Sequence, residues 1–322
     1  MVSLYQFTKV HNMFKKGVLA DKPFFQKLLI LVGIEFIFVG ISSVLGILLV
    51  YPLFAVSPFE LQGIMSNPAV NLNGVAALKF LQFVQASFVF ILGPLTYVYF
   101  VTNDAKAYLN WKLPTQGTFL GLALVVMVIA GPMISALVLF NEQLKMPEFL
   151  AGLEQWMKNS EEQAELLTKA FLQTSTLTGL FINIIIVAAL AGIGEELLFR
   201  GVIQKMLHDK TRNIHTAIII TGVLFSAIHM QFYGFLPRMV MGIMLGYMYY
   251  WSGSLMVSML AHIVNNGFTV VMTYLYNQHL STINPDDDSV FPWYGMVLSA
   301  LLVGNIAYYF YKNREIEVLR QD

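Results

Sequence analysis

The sequence predicts an all-α fold: a polytopic membrane helix bundle of about eight transmembrane helices with both termini cytoplasmic. Three observations predict it. Of 322 residues, 57% are hydrophobic and only 12% are charged, with a mean hydropathy of +0.65. A soluble domain carries about twice that share of charge, so this chain cannot coat itself against water. Apolar runs of roughly the 20 residues needed to cross a bilayer recur along its length. Lys and Arg collect in loops of one face, the bias that marks a cytoplasmic side. Nineteen basic residues balance nineteen acidic ones, which leaves no basic surface for a nucleic acid. Without cysteine there is no disulfide framework or thiolate metal site.

The expected spans lie at 25–52, 76–101, 118–140, 176–205, 214–230, 235–251, 254–277 and 293–312. Lys9, Lys15, Lys16 and Lys22 precede the first, with no short apolar core and small-residue cleavage site behind them. That run is therefore expected to stay as a span rather than act as a signal peptide. With the N-terminus inside, the inner loops also hold Lys27, Lys106, Lys112, Arg200, Lys205, Lys210, Arg212, Lys312, Arg314 and Arg320. Lys79, Lys145, Lys158, Lys169 and Arg238 fall outside, beside the acidic turn Asp286, Asp287 and Asp288. Residues 143–174 alternate apolar and charged positions at helical spacing and are expected as one or two amphipathic helices on the outer surface. Three regions follow: 1–175, three spans plus that segment; 176–275, a core dense in Gly, Ala and Ser, which let helices approach closely; and 276–322, the acidic loop, last span and tail.

Ionisable groups inside spans are costly and point to function. The densest case is Gly194-Glu195-Glu196-Leu197-Leu198-Phe199-Arg200-Gly201. Neighbouring helical positions diverge by about 100°, so the two carboxylates face different directions. Glu196 and Arg200 are four apart with the acid first, the favoured order for an ion pair. Glu195 is left without a local partner. His229 ends Phe225-Ser226-Ala227-Ile228-His229. With the turn at 209–213, Glu195 and His229 sit about 21 and 24 Å from it, nearly level on an antiparallel hairpin. His262 and Asn266 share a face at i, i+4, with Asn265 as a close rival. Glu35, deep in the first span, is expected to pair structurally or functionally with a polar group of the second half. His11, His208, His215 and His279 sit in the N-terminal segment, beside turns or in loops and carry no such argument.

One Glu, two His and one Asn in a low-dielectric cavity can hydrolyse an amide. The carboxylate accepts a proton from water, a neutral His holds that water, and His and Asn side chains donate to the oxyanion. Glu195, His229 and His262 also match the ligand set of a catalytic divalent metal site such as zinc. A transporter is disfavoured, since the two halves carry no repeated broken-helix pattern.

Glu-Glu-x-x-x-Arg at 195–200, Phe-x-x-x-His at 225–229 and His-x-x-x-Asn at 262–266, with the link from Arg238 to Leu255, resemble the CPBP family. That family comprises type II CAAX prenyl endopeptidases, bacteriocin-processing and self-immunity proteins, and lysostaphin-resistance-like proteins. The resemblance covers 176–275. It implies an intramembrane protease, metal-dependent or glutamate-dependent, set in a bacterial cytoplasmic membrane. Glu195 would be the general base and His229 would assist the water. His262 and Asn266 would stabilise the oxyanion, and Glu196 and Arg200 would order the site. The implied partners are the lipid bilayer and a peptide or protein delivered from it. The alternative it also implies is an immunity or scaffold protein that uses the same cluster only for packing.

Overall fold

The computed structural model describes residues 16–68, 71–144, 146–285 and 287–315. Lys9, His11, Lys15, Lys145, Asp286 and Arg320 lie outside the described residues. Each apolar run forms a helix, and the described residues contain no strand. In chain order these are α1 (Phe24–Phe54), the short α2 (Leu61–Ser66), α3 (Leu72–Val101), the short α4 (Ala105–Leu109), α5 (Thr118–Ile129) and α6 (Gly131–Glu142). There follow α7 (Ala151–Leu172), α8 (Leu177–Thr211), α9 (Ile214–Ala227), α10 (Phe235–Ser252), α11 (Leu255–Asn277) and α12 (Trp293–Lys312).

Starts and stops follow local chemistry. Asn71, Asp104, Thr176 and Asn213 each accept a hydrogen bond from an amide in the first turn of the helix that follows, which satisfies a donor left free at a helix start. Arg212 and Gly253 take left-handed conformations and end α8 and α10. Pro132, at the start of α6, supplies no amide to the turn before it, and α5 and α6 meet there at 44°.

Among the described residues, five helices are long and apolar enough to cross a membrane, or six with the bent α5–α6 pair taken as one. Of the eight expected spans, α9 and α10 do not meet that length and hydropathy. α9 has 14 residues, about 21 Å, short of the roughly 30 Å hydrocarbon layer. α10 carries Arg238 and Ser252 and buries much of its length, including Gly242, Leu245, Gly246 and Tyr249, inside the bundle.

Burial identifies the centre. In the most apolar stretch of α11, 39% is buried against 11% in α1, so α11 is the central helix and α1 has its long face towards lipid. α11 packs between α8 and α5 and also touches α10, while α1 packs on α3. Close approach requires the small residues. A Cβ on Gly192 of α8 would come within 2.9 Å of the Ile263 backbone nitrogen of α11, and one on Gly242 of α10 within 3.2 Å of Gly222 Cα of α9. One helix, α7, forms in the amphipathic segment and lies against α2, α3, α8 and α11.

Three stretches have π-helical turns: Ser87–Leu92 in α3, and Ile184–Leu190 and Leu197–Gln204 in α8. The two in α8 flank Ala191–Glu196, so both glutamates stand between widened turns. Such turns recur at functional sites.

Candidate active site

α8 supplies Glu195, Glu196 and Arg200, and α11 supplies His262 and Asn266. Glu196 and Arg200 are fully buried, and Glu196 Oε1 lies 2.6 Å from Arg200 Nη1. Arg200 Nη2 donates to the Gly242 carbonyl at 2.7 Å, and its guanidinium lies 4.9 Å from the Phe225 ring centre. One arginine thus ties α8 to α10 and α9. Glu196 Oε1 is also 3.0 Å from His262 Nδ1, so the same oxygen holds His262 of α11.

Glu195 differs. Its side chain is 13% exposed, and its Oε2 is buried with no hydrogen-bond partner among the described residues. That oxygen faces His262 Nε2 at 3.8 Å. His262 therefore stands between the two carboxylates, Nδ1 on Glu196 and Nε2 towards Glu195.

His229 is placed differently from the sequence expectation of a span running to residue 230. α9 stops at Ala227, and His229 sits in the connection that follows, beside Met230 with φ +53°. Its Nδ1 lies 2.7 Å from the Phe225 carbonyl. A carbonyl only accepts, so Nδ1 carries the proton and Nε2 keeps its lone pair. The His229 and His262 rings pack on Phe225, with centroids 5.1 and 5.7 Å away.

Non-helical backbone near membrane depth must be satisfied by protein, and residues unmarked by the sequence pattern do this. Asn141, at the end of α6, donates to the Phe232 and Tyr233 carbonyls and accepts from the Leu236 amide. Glu161 of α7 accepts from the Tyr233 amide at 3.2 Å, Trp156 packs on Phe232, and Arg238 donates to the Gln231 carbonyl. α7 therefore holds the segment that carries His229. Sequence periodicity places Trp156 on the apolar face of α7 but gives no sign of its partner.

Asn266 Nδ2 donates to the Val187 carbonyl at 3.2 Å, within the first π-helical stretch of α8, and its Oδ1 accepts from Asn265. Among the described residues its second amide hydrogen has no such partner. Glu35 is not joined to the second half. Its carboxylate lies against Gly93 of α3, with both oxygens buried and without a hydrogen-bond partner among the described residues. His215 Nδ1 lies 2.7 Å from the Tyr247 hydroxyl. Asp287 accepts from the Ser289 hydroxyl and amide, which hold its carboxyl below the usual carboxylate range. No three His, Asp or Glu side chains among the described residues form a group that could hold a metal ion.

Residues 177–268 match the family model for Type II CAAX prenyl endopeptidase Rce1-like. The chain is 31% identical over 86 residues to "Uncharacterized protein YpbD" of Bacillus subtilis (strain 168), covering 26% of this chain and 41% of that protein. It is 34% identical over 89 residues to "Putative membrane peptidase YdiL" of the same organism, covering 27% of this chain and 36% of that protein. The chain thus spans well under half the length of these curated relatives. No solved structure matches. With five to six helices able to cross a bilayer, the chain is an integral, multi-pass membrane protein. All six candidate site residues lie within residues 177–268, the segment that matches the model of that family.

Proposed function

We propose that the chain is an intramembrane endopeptidase that hydrolyses a peptide bond of a membrane-delivered peptide or protein, with Glu195 as the general base and no metal ion in the reaction. The observation that carries this reading is the buried, unpartnered Glu195 Oε2 beside a histidine whose other nitrogen is anchored. Glu196 is the poorer base: its Oε2 is also unpartnered among the described residues, but its carboxylate is fully buried and its Oε1 is engaged by Arg200 and His262.

The charges explain the division of labour. Glu196 forms an ion pair with Arg200, whereas Glu195 Oε2 has no hydrogen-bond partner among the described residues and is placed to accept a proton from water.

In the reaction, Glu195 takes a proton from a water molecule whose other hydrogen is accepted by His229 Nε2. The water oxygen bonds to the substrate carbonyl carbon, and the carbonyl π electrons move to oxygen. His262 Nε2–H and the free amide hydrogen of Asn266 donate to that oxyanion. The C–N bond then breaks as Glu195 returns its proton to the departing amine. With Nδ1–H directed at Glu196 Oε1, donation from Nε2 needs a ring that carries a proton on both nitrogens.

The test compares new N-termini in membrane proteins incubated with purified wild-type chain or with His229→Ala, read by mass spectrometry. New termini are expected with wild type and, with His229→Ala, to fall at least about 100-fold, within the usual contribution of acid–base groups. Their absence with wild type contradicts the proposed activity, and equal yields contradict the role of His229.

A further inference from the structure

Away from the glutamate site, a cavity of about 1030 Å³ opens between α3 and α8, with the C-terminal half of α7 over it. It is at the upper end of the roughly 300–1,000 Å³ typical of small-molecule sites. Its two ends differ in chemistry. Asn67, Thr174 and Gln278 line the mouth, at or just beyond the ends of α2, α7 and α11. Phe80, Phe83, Leu166, Ala170, Ile182 and Ile186 line the walls. Ile186 lies nine residues before Glu195 on α8, about 13 Å along the helix, so the cavity stops short of Glu195 and borders the cluster only at Val187, whose carbonyl holds Asn266.

Lys79 is set into this wall. It lies seven residues inside α3, about 10 Å from the helix start. Its Nζ donates to Asn183 Oδ1 at 2.8 Å, and Asn183 is buried and uncharged. No carboxylate among the described residues pairs with Lys79, whereas Lys169 in the same lining is paired with Glu165. An ammonium in an apolar wall at this depth calls for an anion.

The required occupant has one negative group near the mouth and a long apolar part. An inorganic anion would leave the aromatic and aliphatic walls uncovered. A peptide lying along Phe80, Phe83, Ile182 and Ile186 would bring backbone amides and carbonyls against side chains that offer them no partners. Basic pockets between transmembrane helices on the cytoplasmic side bind anionic lipid headgroups by this combination, and the same chemistry serves a headgroup at the face where Lys79 lies. We propose that the cavity holds one anionic phospholipid, its phosphate at Lys79 and one acyl chain along Phe80, Phe83 and Ile186.

The test is native mass spectrometry of the full chain released from nanodiscs of phosphatidylglycerol and phosphatidylcholine with identical acyl chains. Wild type is expected to retain one phosphatidylglycerol. Lys79→Gln is expected to lower that retention at least about tenfold and Lys79→Arg to preserve it. Ala76 also lines the cavity, and Ala76→Phe, which keeps the lysine and fills the space, is expected to lose the lipid. Wild-type retention by folded Lys79→Gln or by Ala76→Phe overturns the proposal, as does equal retention of phosphatidylcholine by wild type.

Discussion

Replacing Glu195 with glutamine is expected to lower cleavage by about 10²–10⁴-fold, the usual contribution of a positioned general base, while the protein inserts and folds as before. Glutamine matches glutamate in size and can still face His262 Nε2, but it cannot accept a proton from water. The change lies on the half-open side of the cluster: Glu195 keeps some exposure and makes no ion pair with arginine. Stability should therefore change little, and the loss should fall on the chemical step with substrate affinity near the wild-type value. Single-turnover rates at saturating substrate separate the two. A Glu195→Gln protein that turns over at the wild-type rate has some other base.

Arg200→Ala is expected to act on folding instead, with a loss of about 3–5 kcal/mol, because it leaves the Glu196 carboxylate buried without its cation. Arg200 and Glu196 are fully buried, and Arg200 also occupies the Gly242 carbonyl and covers the Phe225 ring. Removing it frees an acceptor on α10 and opens a gap beside the platform for both histidines. The double variant Glu196→Gln/Arg200→Met removes both charges at similar volume and is expected to regain much of the lost stability, though not activity, since His262 loses its charged anchor. Thermal unfolding in detergent, followed for all three proteins, reads the order wild type, double variant, Arg200→Ala. An Arg200→Ala protein as stable as wild type contradicts the structural role of this pair.

Much of this was legible because membrane helices state themselves through hydropathy and caps. The turn after α8 was readable from its polar run, and the Glu196–Arg200 pair from spacing alone. The end of α9 was not. Ile228, Met230 and Phe232 continue the apolar run, and the side chains that satisfy the non-helical backbone, Asn141 and Glu161, come from about 70 to 95 residues away. The π-helical turns of α8 were hidden for a different reason, since a widened turn changes register without changing composition. Val187, whose carbonyl holds Asn266, lies in one of them. The rivalry between Asn265 and Asn266 also had no answer in spacing: the two are hydrogen-bonded to each other, and Asn266 reaches α8. Glu35 was costly enough to notice, yet its burial against Gly93 depends on how α1 and α3 pack.

The central claim is that Glu195 activates water without a metal ion. The most direct measurement is the cleavage rate of the purified chain in nanodiscs, before and after prolonged treatment with a strong zinc chelator. The substrate is a membrane peptide bearing one of the mapped cleavage sites, and Glu195→Gln is run in parallel. An unchanged rate is expected for chelated wild type and a rate near background for Glu195→Gln under both conditions. Loss of wild-type activity on chelation, restored by adding zinc back, would contradict that claim.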